Sequence, residues 1–117
     1  MKFKIEKNLK IINELMSYCY HYDCKNVTVN MHTAEDNAFS NIYIEAIIYD
    51  FKKEPLEMLK NSLNTQRQHE IEEYYWHLGG DSEFDSALTL VGMMVDTANV
   101  SYTDNLLRID ILRKEGV

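Results

Sequence analysis

The pattern of apolar and polar residues divides the chain into stretches of helical and of strand periodicity. From about Ile5 to Tyr20, apolar residues recur at three- and four-residue steps, which predicts an amphipathic helix. They form two adjacent stripes, one of Ile5, Leu9, Ile12, Met16 and Cys19 and one of Ile11, Leu15, Tyr18 and Tyr22. We expect this broad apolar face to lie across a sheet.

Two stretches then alternate with period two, as strands with one covered face do. Val27, Val29 and Met31 alternate with polar residues, and after a turn-rich segment the pattern resumes from Asn41 to Phe51. In this second strand, the side predicted to face the helices comprises Ile42, Ile44, Ala46 and Ile48. The opposite side, which is only half polar, comprises Tyr43, Glu45, Ile47 and Tyr49.

A central helix is predicted from Glu54 to Leu78. Pro55 suits a first helical position because its missing N–H costs nothing there, and Gly79-Gly80 can supply the left-handed residue that ends a helix. A polar turn from Thr65 to Glu70 interrupts the apolar stripe and places Arg67 on it. Either the helix bends at this turn or Arg67 extends its charge to solvent.

The stretch from Ser86 to Arg113 admits two interpretations. In the first it begins as a helix, because Phe84, Leu88, Val91, Val95 and Ala98 align at helical steps. In the second, Ala87 to Val95 is a strand that pairs with a strand from Asn105 to Arg113. The final strand is predicted in both interpretations. Leu107, Ile109 and Ile111 recur at every second position, and a helix would scatter them around its surface.

A weak internal resemblance favours the second interpretation. Val27-Thr28-Val29, Asn41-Ile42 and Ile44-Glu45 have counterparts, in the same order, in Leu88-Thr89-Leu90, Asn105-Leu106 and Ile109-Asp110. We therefore predict a single α+β domain, residues 1–117, with two helices on one face of a four-stranded antiparallel sheet. The predicted order is α-β-β-α-β-β, and the alternative is α-β-β-α-α-β.

The other face of this sheet is predicted to be open. It presents Thr28, Asn30, His32, Tyr43, Glu45, Ile47, Tyr49, Leu106, Arg108, Asp110 and Leu112. Such a mixture of tyrosine and aliphatic residues among charges is typical of a partner surface, although scattered surface aromatics can also lack a function. The candidate partner-binding residues are Tyr43, Ile47, Tyr49 and Arg108 on this face and Tyr75 and Trp76 near the end of the central helix.

Composition narrows the function further. The 117 residues carry 19 acidic and 12 basic side chains, a net charge of −7. Direct binding of nucleic acid is disfavoured because it needs clustered Lys and Arg. No apolar run approaches the roughly 20 residues of a membrane span, and the start does not resemble a signal peptide, so we expect a cytoplasmic protein with reduced Cys19 and Cys24. Acids concentrated from Glu70 to Asp85 are a solvated helix end or a surface that attracts a basic partner.

Two groups of residues have the chemistry of metal ligands. His69, Glu73 and His77 are spaced by four, so they project from one side of a helix, but such a stripe is more often paired surface charge. Cys19, His21, Cys24 and His32 are suitable zinc ligands, yet Cys19 already lies on an apolar stripe. Neither group matches a recognised motif. We expect no cofactor, no metal and no catalytic set.

The sequence thus favours a small cytoplasmic protein-binding module over an enzyme. Its expected partner is another protein or a second copy of the chain in a homodimer, with neither nucleic acid nor membrane involved. Small acidic inhibitors and immunity proteins of bacterial or phage conflict fit this profile as a class analogy. The alternative is a small-molecule or metal-binding domain, with or without enzymatic activity, that uses His69, Glu73 and His77.

Overall fold

Two antiparallel hairpins join into one sheet that is covered by helices on one face. The computed structural model describes residues 3–75 and 84–115. Within them, the helices are α1 (Lys4–His21), α2 (Lys53–Leu63), α3 (His69–Tyr75) and α4 (Phe84–Met93), and the strands are β1 (Asn26–Thr33), β2 (Phe39–Ile47), β3 (Thr97–Thr103) and β4 (Leu106–Lys114). The strand order is β1-β2-β4-β3, and all neighbours are antiparallel.

The predicted α+β class is confirmed, with a four-stranded antiparallel sheet and helices packed on it. The observed order is α-β-β-α-α-α-β-β, so the described part of the chain has two more helices than the predicted α-β-β-α-β-β. The side chains predicted to point toward the helices from β2 and β4 do so and form the centre of the core. They are Ile42, Ile44, Ala46, Leu107, Ile109 and Ile111, all fully buried. None of the described helices is both long and apolar enough to cross a lipid bilayer.

Helix α1 has the predicted bounds to within one residue, but only part of its predicted apolar face meets the sheet. Ile11 and Leu15 are fully buried, whereas Ile5 and Leu9 are 57% and 54% exposed. The helix packs on β1 and β2 of the sheet and against α4 within the helical layer. Ile5 and Leu9 therefore lie on the outer flank of α1, where no further element covers them among the described residues, whereas Cys19 at the other end of the same stripe is fully buried.

The predicted strand from Ala87 to Val95 is wrong, because α4 occupies Phe84–Met93. Leu88 and Val91 are buried at helical spacing, as the first interpretation required. The partner of β4 is instead β3, and the two are joined by Asp104 and Asn105, whose φ angles are 53° and 65°. Two residues at positive φ match the twist of a tight hairpin, and Asp and Asn tolerate this backbone. The proposed internal repeat therefore aligned a helix with a strand.

The predicted central helix is two helices. α2 ends at Leu63, where the Asn64 side chain donates a hydrogen bond to the Lys60 carbonyl at 2.7 Å, and α3 begins at His69. The polar turn that interrupted the stripe is thus the connection between them. Arg67 does not extend to solvent: only 4% of its side chain is exposed. Gly79-Gly80, the predicted helix end, lies outside the described residues.

A buried ionic network fixes this connection and α3 to the rest of the molecule. The carboxylate of Glu72 on α3 is fully buried and accepts from Lys7 of α1 at 3.1 Å, from Nε of Arg67 at 3.1 Å and from Arg113 of β4 at 3.2 Å. Three cations from three parts of the chain therefore meet one anion. The two acceptor oxygens are shared among all of them.

The same cations are held by further acceptors. Arg67 donates to the Asp96 carboxylate at 2.6 Å and to the Lys114 carbonyl at 2.8 Å. Arg113 donates to the Met94 carbonyl at 2.6 Å and to the Glu115 carboxylate at 3.1 Å. Buried charge is stable only when it is paired and hydrogen-bonded in this way.

Burial alone would raise the pKa of Glu72, but Arg113, Arg67 and Lys7 more than offset it and hold that pKa below its ordinary value. Burial likewise opposes ionisation of Glu115. Hydrogen bonds from Ser40 and Arg113 outweigh that effect and lower the pKa of Glu115 as well. Both carboxylates are therefore ionised in the folded protein at neutral pH.

Gly92→Ala is expected to lower stability. Gly92 of α4 crosses α2 so closely that a methyl group would overlap the Ser62 carbonyl oxygen and lie 3.2 Å from Cβ of Thr65. The overlap should cost about 1–3 kcal/mol, which exceeds the gain of roughly 1 kcal/mol in helix propensity. Thermal unfolding measures the effect. Asn61→Ala, at an exposed position of α2, is the control, and an unchanged midpoint for Gly92→Ala would contradict the close packing.

Glu72→Gln is expected to destabilise the protein by about 3–5 kcal/mol at neutral pH, because it leaves buried cations without their shared anion. The folded-state pKa of Glu72 is lowered, so its contribution is present above the unfolded pKa of about 4.3 and is lost as the pH falls through the lower folded value. The stability of the variant should therefore decline less steeply with acid than that of the wild type.

Urea unfolding at a series of pH values tests this expectation. Glu57→Gln is the matched control, since Glu57 forms an exposed pair with Lys60 at 3.9 Å. Equal acid sensitivity of the wild type and Glu72→Gln would show that Glu72 is not the titrating group.

Candidate partner-binding surface

The sheet has one face that no described element covers. We call it the open face. It comprises Thr28, Asn30, His32, Phe39, Asn41, Tyr43, Glu45, Ile47, Thr97, Asn99, Ser101, Thr103, Leu106, Arg108, Asp110, Leu112 and Lys114. All sheet residues predicted for this face lie on it. The period-two pattern was sufficient because side chains of a strand alternate strictly between the two faces.

The strand register brings the candidate residues together at the centre of the open face. Tyr43 lies opposite Asp110, and the neighbouring Glu45 lies opposite Arg108. The Tyr43 hydroxyl donates to the Glu45 carboxylate at 2.7 Å, and Nε of Arg108 donates to the same carboxylate at 3.4 Å. The hydrogen bond to Glu45 is the main reason that the pKa of Tyr43 is raised. The phenol therefore stays protonated and uncharged at neutral pH.

Apolar side chains lie at both ends of this polar centre. Ile47 is directly opposite Leu106 at one end, and both are half-buried. At the other end Phe39 is 39% exposed, and its ring centroid is 6.5 Å from that of His32. Leu112 of β4 lies opposite Asn41, one strand away from Phe39 and two strands away from His32. The open face thus presents apolar area around a hydrogen-bonded cluster, as protein interfaces do.

Phe39 is the one large apolar side chain of this surface that the sequence pattern missed; the polar residues Asn41 and Lys114 and those of β3 were missed as well. The turn-rich segment appeared to run through Ser40, but β2 begins at Phe39, so its side chain falls in step with Asn41 and Tyr43. The signal was present in the parity of positions 39, 41 and 43. It was obscured because Asp36 and Asn37 form the turn immediately before, with Asn37 at φ 60°.

A shallow hollow of about 260 Å³ lies on the β3 side of the open face. Tyr43, Asn99, Ser101, Arg108 and Asp110 contribute to its lining. Hydroxyl, amide, guanidinium and carboxylate groups all reach it. The hollow therefore offers hydrogen-bond donors and acceptors that a side chain of a partner could use.

The remaining candidate residues lie elsewhere. Tyr49 is 61% exposed, but it belongs to the turn after β2 and not to the strand. The chain leaves the sheet here because Asp50 adopts a left-handed backbone with φ 60°. Tyr75 is the last residue of α3. Its side chain, together with Trp76 and His77, lies outside the described residues.

The helical His-Glu-His stripe is only partly described. His69 is exposed at the start of α3, and the carboxylate of Glu73 pairs with the buried Lys7 ammonium. A metal ion would have to compete with Lys7 for that carboxylate. Within residues 3–75 and 84–115, no three His, Cys, Asp or Glu side chains form a group that could hold a metal ion.

The two cysteines are free thiols in the core region near the end of α1. Burial, with a smaller effect of Cys24, raises the pKa of Cys19 to about 12. Burial, followed by the charge of Asp23, raises the pKa of Cys24 as well. Both are protonated at neutral pH, whereas a nucleophile or zinc ligand needs the thiolate. Both side chains pack in the hydrophobic core.

No protein-family model matches this chain, and none of the curated proteins matches it either. No relative therefore adds to what the structure shows of the candidate surface. The structure shows a two-layer α+β domain with an amphiphilic open face.

Addition of a chelator is expected to leave the thermal midpoint unchanged, because Glu73 already has Lys7 as its partner. Elemental analysis of the purified protein should find no stoichiometric zinc, manganese or iron. The contrary result is one metal per chain that is lost from the double variant His69→Ala, His77→Ala and retained when only the exposed His32 is replaced by Ala. That outcome would restore the metal-binding alternative.

Proposed function

We propose that this protein is a small binding module and that its open face is the surface that contacts a protein partner. The observation that carries the proposal is the pattern on an uncovered sheet face: four apolar side chains surround a central cluster in which Tyr43 and Arg108 donate to Glu45. The four are Phe39, Ile47, Leu106 and Leu112. Each would gain on the order of 25 cal/mol for every Å² of apolar area that a partner covers.

The charges of the open face suit a contact surface. Glu45 and Asp110 are balanced by Arg108 and Lys114, whereas the whole chain has a net charge of −7. The negative charge that keeps the protein soluble and steers a basic partner is thus carried elsewhere. A face without net charge can be desolvated at lower cost.

Arg108 is the polar residue best placed to respond to a partner. Its side chain is 44% exposed, and its ion pair with Glu45 is long at 3.4 Å. An arginine can offer two parallel hydrogen bonds to a carboxylate or carbonyl group. A partner that supplies such a group would therefore compete readily with Glu45.

The acidic run predicted near the central helix is weaker as a docking site than its sequence implies. Glu72 is fully buried within the ionic network and contributes no surface charge, and Glu73 pairs with Lys7. The open face is consequently the better supported contact surface. By class analogy, we propose an inhibitor or immunity-type protein of bacterial or phage conflict that acts in the cytoplasm. Two buried free thiols are consistent with a reducing compartment.

The double variant Tyr43→Glu, Ile47→Lys is expected to lose partner binding because it places two additional charges in the contact area. Both side chains are partly exposed, so the fold and the thermal midpoint should change little. Affinity capture from the native host, with the wild type and the variant compared side by side, measures the effect. Met58→Lys, at an exposed position on α2 in the helical layer, is the control. Equal capture by all three proteins would remove the open face as the contact surface.

A further inference from the structure

Strand β1 is an edge of the sheet, and no described strand pairs with its outer side. Its only neighbour among the described strands is β2, so one row of its backbone N–H and C=O groups has no strand partner there. β1 is eight residues long and contains neither a charged residue nor proline or glycine. Proteins usually block exposed edges with such residues because a free edge pairs with other strands.

The outer flank of α1 lies next to this edge and is apolar. Ile5 and Leu9 are more than half exposed, and Ile12 is packed at the margin of the core. On the helix side of β1, Met31 is 39% exposed and Val29 is only partly buried. We call this surface, formed by Ile5, Leu9, Ile12, Met16, Val27, Val29 and Met31, the β1 flank.

The opposite edge of the sheet differs. On β3 the residues that face the helices are Ala98, which is buried, and Val100 and Tyr102, which are packed against the core. The Tyr102 hydroxyl donates to the Ile48 carbonyl at 2.6 Å. None of the large exposed hydrophobic side chains in the described part of the chain belongs to β3. An apolar flank beside a free edge is thus found at β1.

We propose that two copies of this chain associate through the β1 flank. The two β1 strands pair antiparallel about a two-fold axis perpendicular to the sheet, which makes one continuous eight-stranded sheet. The same axis brings the α1 helices together on the helical side. The exposed apolar side chains of the two β1 flanks, among them Ile5, Leu9 and Met31, then cover one another.

A second copy fits this surface better than an added peptide. A peptide strand would satisfy the backbone groups of β1 but would leave Ile5 and Leu9 in water. The β1 flank needs a strand and an apolar helix side by side, which are what the chain itself carries, and a two-fold interface requires such a self-complementary patch. Each chain has a net charge of −7, but β1 has no charged side chain. Two copies of β1 can therefore pair without bringing like charges together.

The available area is also sufficient for a dimer. A strand of eight residues is about 27 Å long, and the molecule is 20 Å deep in its shortest direction. Two copies joined along this flank would bury on the order of 1,000 Å², near the lower limit for specific interfaces. We therefore expect a reversible dimer.

This proposal does not rest on the proposed function of the open face. A two-fold axis perpendicular to the sheet leaves both open faces on the same side of the eight-stranded sheet and available to partners. Self-association and partner binding, which the sequence placed on one surface, are thereby assigned to two.

The double variant Leu9→Lys, Met31→Lys tests the dimer because both side chains are exposed in the single chain. Sedimentation equilibrium should give twice the 13.8 kDa chain mass for the wild type at high micromolar concentration. The variant should remain folded and dissociate with a constant raised on the order of 100-fold. Hydrogen exchange should show protection of β1 amides that increases with concentration in the wild type alone.

Two controls separate this proposal from the previous one. Met58→Lys and the open-face variant Tyr43→Glu, Ile47→Lys should both remain dimeric, because neither change touches the β1 flank. A monomeric wild type at all concentrations overturns the dimer. A dimer that persists in Leu9→Lys, Met31→Lys but is lost in the open-face variant also overturns it and places self-association on the open face.

Discussion

The placement of α3 depends on the buried carboxylate of Glu72. α3 has only seven residues, far fewer than a helix needs to be stable by itself. It is held by contacts with α4, by the pairing of Glu73 with Lys7, and by Glu72, whose charge can be buried only while Lys7, Arg67 and Arg113 surround it. Since these cations come from α1, the α2-α3 connection and β4, the ionic network joins α3 to the rest of the helical layer and to the end of the sheet.

This constraint also explains the break in the predicted central helix. Arg67 interrupted an apolar stripe, and the sequence alone offered a bend or a solvated side chain as explanations. Arg67 is instead an inward-facing partner of Glu72 and Asp96. Its guanidinium can reach both carboxylates only because the chain leaves the helical path between Leu63 and His69. No local pattern could reveal this, since Asp96 and Lys114 are distant in sequence.

Strand parity made the open face predictable, whereas the second hairpin was not. In β2 and β4, strongly apolar positions alternate with polar ones, so one face is identified without knowledge of the fold. In β3 the inward positions are Ala98, Val100 and Tyr102, a weak signal beside the apolar segment that precedes it. That segment holds Leu88, Val91 and Val95, which fit a helix, but Leu88-Thr89-Leu90 imitates a strand. The length of this apolar segment, and the tight-turn residues Asp104 and Asn105 after it, would have distinguished a helix followed by a hairpin from a strand.

The strand order has a consequence for how the chain must fold. Each hairpin can form from neighbouring residues, but the two halves of the sheet are joined only where β2 pairs with β4. In that pairing Ile47 meets Leu106, 59 residues later in the chain. The entropy of closing so long a loop must be overcome before the central contacts form. The β2-β4 pair, which lies at the centre of the sheet, is therefore the part that neighbouring residues cannot form by themselves. It needs contacts between distant parts of the chain.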